Sequence, residues 1–290
     1  MSMSGWVLSD FTAYKAAYAR YGGSVCSHPD VITFLGQRAP RPEFYIYALR
    51  GEVISATFAS DKRIYIDAKS YPVLFDDIII PHNKNRKKII LPFHTKQLSP
   101  YHAGDFYNCI YWHGLKRKTC IVKDDFSTLT HKKRRAEMRR FIKHQGECRS
   151  VDDFSDEALC DIYISLFKKR WGESIICYTR EALLEVFGEL RHLIFGYVLL
   201  INGQPCAYDL VFKAECPAWI FFDCINGGYD PDYAELSVGS VLMYMNIQLA
   251  RDMCQDKQTK MVFSLGMDNP RWHYKKQWCN TVTLGRSVTL

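Results

Sequence analysis

Residues 192–213, HLIFGYVLLINGQPCAYDLVFK, decide the fold of this chain. They predict two apolar strands joined at Asn202-Gly203, because an Asn-Gly pair readily forms the two-residue turn of a β-hairpin. WIFFDC at 219–224 predicts a third strand. LSVGSVLMYMNIQLARDM at 236–253 then predicts a turn followed by a helix, since its apolar residues recur at helical spacing.

The remaining C-terminal residues extend this pattern. MVFSLGM at 261–267 predicts a strand, WHYKKQW at 272–278 predicts a helix, and the last residues predict short strands. The order from residue 193 onward is therefore β, β, β, α, β, α, β.

A second group of strands lies near the N-terminus. Residues 44–67 predict a hairpin around Gly51 and a third strand at 61–67. Because strand, glycine turn, strand and third strand also occur at 193–224, the sequence favours two related lobes, over 1–125 and 126–290. Cap residues and apolar periodicity predict further helices, namely two within 9–36 and others at about 103–117, from Ser127 or Thr130 to Lys143, from Ser155 and from near Thr179. The predicted fold class is α/β (α+β), with a mixed, largely antiparallel sheet flanked by helices in each lobe.

Charge is concentrated in one segment. The formal net charge is +7, and residues 131–144, HKKRRAEMRRFIKH, carry seven Lys/Arg against one Glu. That segment alone contributes +6, so the rest of the chain is nearly neutral. Such a concentration indicates a local anionic partner rather than a surface that coats nucleic acid along its whole length.

The cysteines and the N-terminus indicate a reducing compartment and disfavour export. The 11 cysteines follow no regular spacing, which favours buried thiols in a reducing compartment over a disulfide framework. MSMSGWVLSDFTAY lacks the basic start and apolar stretch of a cleaved signal peptide. Since the longest apolar run, 193–201, is shorter than the roughly 18 to 20 residues that cross a bilayer, any membrane contact is expected to be peripheral.

The turn at 236–241 is the predicted anion site. Ser237, Val238, Gly239 and Ser240 precede an amphipathic helix, whose first-turn amides have no partner within the helix. Glycine allows the backbone to approach a ligand closely, and amides at a helix N-terminus bind phosphates. The alternative is an ordinary serine-capped helix.

Two carboxylates and a tyrosine are the candidate catalytic groups. Asp209 follows the Asn-Gly turn on a strand, and Asp223 ends the apolar run WIFF, so both are expected near the centre of the sheet with raised pKa values. Alternatively, Asp223 caps the following NGG turn. Tyr274 is a candidate acid and Lys275 a candidate phosphate contact, although a solvated helix face also explains this pair.

The basic segment allows three interpretations. It is a solvated linker helix, a surface that attracts anionic lipid, or a contact for tRNA phosphates. The candidate contacts are Lys132, Lys133, Arg134, Arg135, Arg139 and Arg140. No His/Cys spacing predicts a metal site, and no helix-turn-helix pattern predicts DNA binding.

Residues 126–285 resemble the acyltransferase (GNAT-like) module of the Fem-type aminoacyl transferases. The shared landmarks are the basic helix, the NG hairpin followed by Ala207, the turn LSVGSVLM, and a YK pair before Trp278. The whole chain resembles the Mig-fourteen (Mig-14) family of bacterial antimicrobial-peptide-resistance proteins, through RYGGS at 20–24, HPDV at 28–31, the Arg/Glu/Phe pattern at 134–141, and SVGSVLMYMNIQLAR with FSLGM.

These resemblances imply two GNAT-like lobes, an acyl-coenzyme A or aminoacyl-tRNA donor and an amine acceptor. They also imply a bacterial protein, peripheral to the cytoplasmic side of the inner membrane, that modifies an envelope component or a peptide and so counters cationic peptides. The chain departs from the Fem-like pattern at Val238, where proline is common, and its turn has little glycine. The rival expectation is therefore a non-catalytic GNAT-fold protein that binds anionic lipid, peptide or a partner.

Overall fold

The structure, a computed structural model, describes residues 5–112 and 114–288. Its helices are α1 (Phe11–Tyr21), α2 (Pro29–Gly36), α3 (Thr128–Lys143), α4 (Asp156–Trp171), α5 (Arg180–Leu190), α6 (Val238–Asp256) and α7 (Lys275–Trp278). Its strands are β1 (Trp6–Ser9), β2 (Glu43–Leu49), β3 (Glu52–Ala59), β4 (Cys109–Ile110), β5 (Lys118–Val122), β6 (Gly146–Ser150), β7 (Ile194–Phe195), β8 (Tyr197–Ile201), β9 (Gln204–Glu215), β10 (Trp219–Tyr229), β11 (Lys260–Met267), β12 (Cys279–Thr283) and β13 (Arg286–Ser287).

Polar residues cap the helices at the places that the sequence predicts. At the start of α3 the Ser127 hydroxyl accepts a hydrogen bond from the amide of Thr130 (3.2 Å). Ser155 caps α4 and Thr179 caps α5 in the same way, and the Asp10 carboxylate caps α1. Each cap satisfies an amide that the helix itself leaves without a partner. These helices are therefore confirmed.

The N-terminal strands form a small antiparallel sheet. Its order is β1-β2-β3, and α1 packs against β2 and β3 with Tyr14 fully buried. The predicted hairpin is thus confirmed. The third strand predicted at 61–67 is wrong, because Asp61 and Lys62 both have a left-handed backbone and Arg63 makes only isolated bridges to Ser60 and His94.

The predicted helix at 103–117 is also wrong. Residues 103–112 and 114–117 contain no helix, and Cys109–Ile110 instead form β4, which pairs with β13 at the other end of the chain. This pairing joins residues separated by more than 170 positions, so the local pattern around residue 109 carries no sign of it.

The large sheet holds the C-terminal part of the chain together. Its order is β12-β5-β11-β10-β9-β8-β6, and every neighbouring pair is antiparallel except β10 and β11, which are parallel. Asn202 and Gly203 join β8 to β9 with left-handed φ angles of 50° and 75°, the conformation that this hairpin turn requires. The fold class predicted from the sequence is confirmed.

The two parallel strands separate part-way along their length. Pairing runs from Trp219 opposite Lys260 to Asp223 opposite Ser264, and then stops. Beyond this point β10 stays paired with β9, with a register shift between Cys224 and Asn226, while β11 stays beside β5. A cleft consequently opens between the ends of β10 and β11.

Helices cover both faces of this sheet. Tyr208, Leu210 and Phe212 of β9 lie in the core that contains α4 and α5, whereas Ala207 and Val211 lie in the cores that contain α6. Successive strand residues alternate between the faces, so this separation follows from the apolar run of β9.

The division into lobes at residues 125 and 126 stays a prediction. β5, which precedes that boundary, lies between β11 and β12 in the large sheet, and the largest core contains residues of both predicted lobes. In residues 5–112 and 114–288, the helices all fall short of the combined length and apolarity that a bilayer crossing needs.

Candidate active site

A cavity of about 540 Å³ lies where β10 and β11 separate. Its walls are the end of α4, the residues of β10 beyond the register shift, the first turn of α6, the end of β11 and the start of α7. Close packing of β10 on α4 shapes one wall, since a Cβ atom at Gly228 would overlap the backbone of Leu166. The cavity brings together three groups singled out in the sequence, namely the turn before α6, Asp209, and the pair Tyr274 and Lys275.

The first turn of α6 faces this cavity. Ser237, Val238, Gly239 and Ser240 all line it. The amides of Ser240 and Val241 donate to the carbonyl of Ser237, at 2.8 and 3.0 Å. Within residues 5–112 and 114–288, nothing accepts a hydrogen bond from the amides of Val238 and Gly239. Val238 is fully buried, whereas Gly239 is partly exposed, so the amide of Gly239 is the one that an anion in the cavity can approach.

The serine-capped alternative for this turn is wrong. Ser237 has a left-handed backbone (φ 57°, ψ 35°) and its side chain makes no capping hydrogen bond. Gly239 instead allows close packing, because a Cβ atom there would lie 3.1 Å from the ring of Tyr229.

Asp209 is a buried carboxylate in the cavity wall. It is 8% exposed, and no residue in the described ranges donates a hydrogen bond to its side chain. Burial raises the pKa of Asp209 to about 6, and the nearby Arg170 cation opposes this shift. Gly227 lies opposite Asp209 on β10 and leaves room for the carboxylate, because a Cβ atom there would overlap it.

Asp223 lies on the opposite face of the sheet from Asp209. It pairs across the ladder with Phe212, which faces α4, whereas Asp209 alternates with Tyr208 and Leu210 and points to the other face. Burial raises the pKa of Asp223 well above its usual value, the neighbouring Asp76 and Asp77 raise it further, and Lys275 opposes them. Asp223 is absent from the cavity lining and makes no turn-capping hydrogen bond among the described residues, so the capping alternative is wrong as well.

Tyr274 and Lys275 both line the cavity, but only the head group of Lys275 is held by backbone carbonyls. Tyr274 is 39% exposed, and burial of its hydroxyl raises its pKa, so it remains protonated at neutral pH. The Lys275 ammonium is buried and donates to the carbonyls of Leu265 (2.5 Å) and Met267 (3.0 Å). Lys275 therefore fixes the free end of β11, and its donors are not directed at a phosphate.

Two further charged residues of the cavity escape prediction from the sequence. Asp76 accepts hydrogen bonds from the Met267 amide (3.3 Å) and the Gln97 side chain (3.2 Å), and burial raises its pKa. Arg170 lies in the last turn of α4. Asp76 lies in an irregular segment without a motif, and Arg170 follows Lys168 and Lys169 as an ordinary C-terminal helix charge.

The basic helix α3 has two different faces. Arg134 is buried, where it donates to Glu137 (2.6 Å) and Gln277 (2.9 Å) and stacks on Trp278 at 4.7 Å. The prediction that Arg134 contacts lipid or RNA is therefore wrong. The exposed candidates are Lys132, Lys133, Arg135, Arg139 and Arg140, accompanied by Leu129 at 78% exposure.

A family model now identifies the chain. The model of the family described as Mig-14 matches residues 28–287. The chain belongs to the Mig-14 family. This confirms the family resemblance carried by HPDV, the Arg/Glu/Phe pattern and the SVGS segment. No curated protein matches this Mig-14 family member significantly.

Solved structures resemble the protein at the level of fold. FemX is 7% identical with a TM-score of 0.61, and the match covers 98% of this chain and 97% of FemX. L-PGS from Bacillus licheniformis is 13% identical with a TM-score of 0.55, over 97% of this chain and 92% of L-PGS. A conserved protein of unknown function from Bacteroides thetaiotaomicron VPI-5482 gives 10% identity and a TM-score of 0.53, with 97% of each chain covered. These matches agree with the predicted GNAT/Fem-like fold.

Proposed function

We propose that this Mig-14 family protein is a GNAT/Fem-like N-acyltransferase. The observation that carries the proposal is the cavity of about 540 Å³, in which the unpaired amides of α6 and the unpaired carboxylate of Asp209 meet. Acyl transfer to an amine needs a fixed anion site for the donor and a base that accepts the amine proton. FemX and L-PGS, which share the fold, support this choice of reaction class.

Asp209 is the proposed general base. A pKa of about 6 leaves most of the carboxylate ionised at neutral pH, while its burial keeps it basic enough to accept a proton. The amine nitrogen forms a bond to the acyl carbon and passes its proton to Asp209. The bond from the acyl carbon to the donor's sulfur or oxygen breaks, and the hydroxyl of Tyr274 gives a proton to that leaving atom.

The first turn of α6 is the proposed donor site. Through the partly exposed Gly239 amide, this turn would hold the phosphates of acyl-coenzyme A or the last phosphodiester of aminoacyl-tRNA. Asp223 and Lys275 would act indirectly, since both lie beside the end of β11 and Lys275 fixes its carbonyls.

The exposed face of α3 supports an anionic partner near this site. α3 packs against α6 and against the turn that precedes it, so its free cations lie close to the proposed donor end. These cations, together with exposed Leu129, fit a peripheral contact with anionic lipid on the cytoplasmic side of the inner membrane. The acceptor would then be an amine of an envelope component or a peptide, and its modification would protect the cell against cationic peptides.

Calorimetric titration of the wild type and Gly239→Asp with acyl-coenzyme A and with aminoacyl-tRNA tests the donor site. The new carboxylate would face the phosphates, so we expect at least tenfold weaker donor binding. Gly188→Asp is the matched control, because Gly188 lies on α5 with open space around it and outside the cavity. Equal affinity of Gly239→Asp and the wild type would refute the site.

The glycine-poor turn favours a second candidate, a non-catalytic protein that docks on anionic membrane through α3 and binds lipid, peptide or a partner. In that case Asp209→Asn would leave every cellular effect of the protein intact. Loss of peptide resistance with Asp209→Asn, in a protein that still reaches the membrane, would instead support catalysis.

A further inference from the structure

Arg170 stands out among the partly buried arginines of the protein. In the described ranges, Arg38, Arg134, Arg191 and Arg251 each have a carboxylate within ion-pair distance. Arg170 has none. Its hydrogen bond to the carbonyl of Gly227 is long, 3.4 Å from Nη1, and a contact with the hydroxyl of Tyr274 lowers the pKa of that tyrosine.

Aromatic rings surround this guanidinium inside the cavity. It lies 4.1 Å from the ring centre of Trp171, 4.8 Å from that of Tyr229 and 5.6 Å from that of Tyr274. Contacts of this kind stabilise the cation through the ring faces, but they use none of its five N–H donors. Most of these donors are thus free in a site that a ligand can enter.

Among the described residues, the lack of a carboxylate partner at Arg170 is not shared by the adjacent lysine. Lys169, one residue earlier, forms an ion pair with Asp230 at 2.5 Å. Asp209 lies near enough for Arg170 to lower its pKa, yet no hydrogen bond joins the two side chains. Both groups of this opposite-charge pair therefore remain available in one cavity.

Arg170 and the amides of α6 border the cavity from different walls. Arg170 lies at the end of α4 and the amides lie at the start of α6. The ring of Tyr229 is close to both, because its centre lies 4.8 Å from the guanidinium and its edge would lie 3.1 Å from a Cβ atom at Gly239. We therefore assign Arg170 and the α6 turn to different anionic groups.

We propose that Arg170 binds an oxyanion of the acceptor, a carboxylate or a phosphate, so that the acceptor amine lies at Asp209. That Arg170 binds an anion follows from the cavity alone. That this anion belongs to the acceptor rests on the proposed function. A guanidinium edge holds two oxygens of a carboxylate or phosphate at once, which fixes the direction of the rest of the molecule. The acceptor class is then an amine that carries its own negative group.

The test measures tryptophan fluorescence of the full-length protein during titration with acetate and with inorganic phosphate. Trp171 and Trp272 pack edge to face at 5.0 Å beside Arg170, so an anion there changes their emission. Loss of the charged hydrogen bonds in Arg170→Gln is expected to weaken binding of at least one anion by tenfold or more. Arg170→Lys keeps the charge but loses the two-pronged geometry, so acetate binding falls more than phosphate binding.

The control variant is Arg149→Gln, which removes an exposed arginine of β6 and should bind as the wild type does. A response to acetate alone identifies a carboxylate acceptor, and a response to phosphate a phosphorylated one. The proposal is overturned if the wild type binds neither anion, or if Arg170→Gln binds both normally while Gly239→Asp does not. Normal binding by Arg170→Gln together with weak binding by Gly239→Asp would remain consistent with the proposed donor site. Conversely, a failure of the donor titration leaves an Arg170 anion site intact.

Discussion

Asp209 is a charge in the cavity wall without a hydrogen-bond partner in residues 5–112 and 114–288. Its pKa rises on folding from 3.8 to about 6, so the folded chain binds this proton more tightly than the unfolded chain does. Well below pH 4 the carboxyl is protonated in both the folded and the unfolded state, so burying it does not lower the free energy of unfolding through its charge. Above pH 6 it is ionised in the folded state, and the full cost of burying the charge applies.

Asp209→Asn is therefore expected to raise the free energy of unfolding at pH 8, by an amount on the order of 3 kcal/mol. The gain should shrink as the pH falls from 6 to 4. Urea unfolding of both proteins across this range measures it, with the exposed Asp152→Asn as a control. A gain of the same size at pH 3.5 and pH 8 would show that the asparagine acts through packing rather than charge.

At the residue scale, the sequence predicted the types of group in the site better than their partners. Asp209, Tyr274 and Gly239 line the cavity, and their roles in a reaction stay predictions. Arg134 and Lys275 do not have free head groups, because Glu137 and the β11 carbonyls occupy them, and such contacts depend on packing between distant elements. Asp76 and Arg170 were missed for the same reason.

Helix α3 combines a structural face and an exposed basic face. Arg134 and Glu137 form a buried ion pair at 2.6 Å, whereas Arg135 points to solvent and pairs with no described residue. Removing one member of a buried pair leaves the other charge without compensation.

Arg134→Ala is expected to lower the free energy of unfolding by roughly 3 to 5 kcal/mol, because Glu137 would be left buried and unpaired. Arg135→Ala, on the next residue, is expected to change it by less than about 0.5 kcal/mol. Chemical denaturation of both variants measures the difference. Equal effects would mean that the two arginines do not occupy the different environments described above.

Charge reversal of the exposed face tests the membrane contact. Replacing Lys132, Arg135, Arg139 and Arg140 by Glu should abolish flotation with anionic liposomes, since each surface cation contributes about 1 kcal/mol of attraction. Zwitterionic liposomes provide the comparison, and a folded-state check by circular dichroism excludes unfolding. Unchanged flotation would show that the face is only a solvated surface.

At the scale of helices and strands, the sequence predicted correctly those elements that short-range features mark. Caps at Ser127, Ser155 and Thr179 and the Asn202-Gly203 turn are short-range features, and the structure has the elements that they predict. The strand predicted at 61–67 depended on a neighbouring strand for pairing. Left-handed residues at its start prevent that pairing, and its residues 64–67 are irregular.

For the whole molecule, the order of strands and helices predicted the fold class, and the large sheet has the expected mixed, largely antiparallel arrangement. The cavity could not be predicted in full because its walls come from segments far apart in sequence. Asp76 reaches Met267 across 191 positions, and this contact closes the end of the cleft. Separation of β10 from β11 is likewise a property of the assembled sheet.

Native mass spectrometry of the protein purified from a bacterial host tests the central claim most directly. If the α6 amides and Asp209 form a donor site, the wild type should carry coenzyme A, an acyl-coenzyme A or an aminoacyl-tRNA, and Gly239→Asp prepared in parallel should not. Identical occupancy in the two proteins, or no such molecule in either, would contradict the assignment of this cavity to acyl transfer.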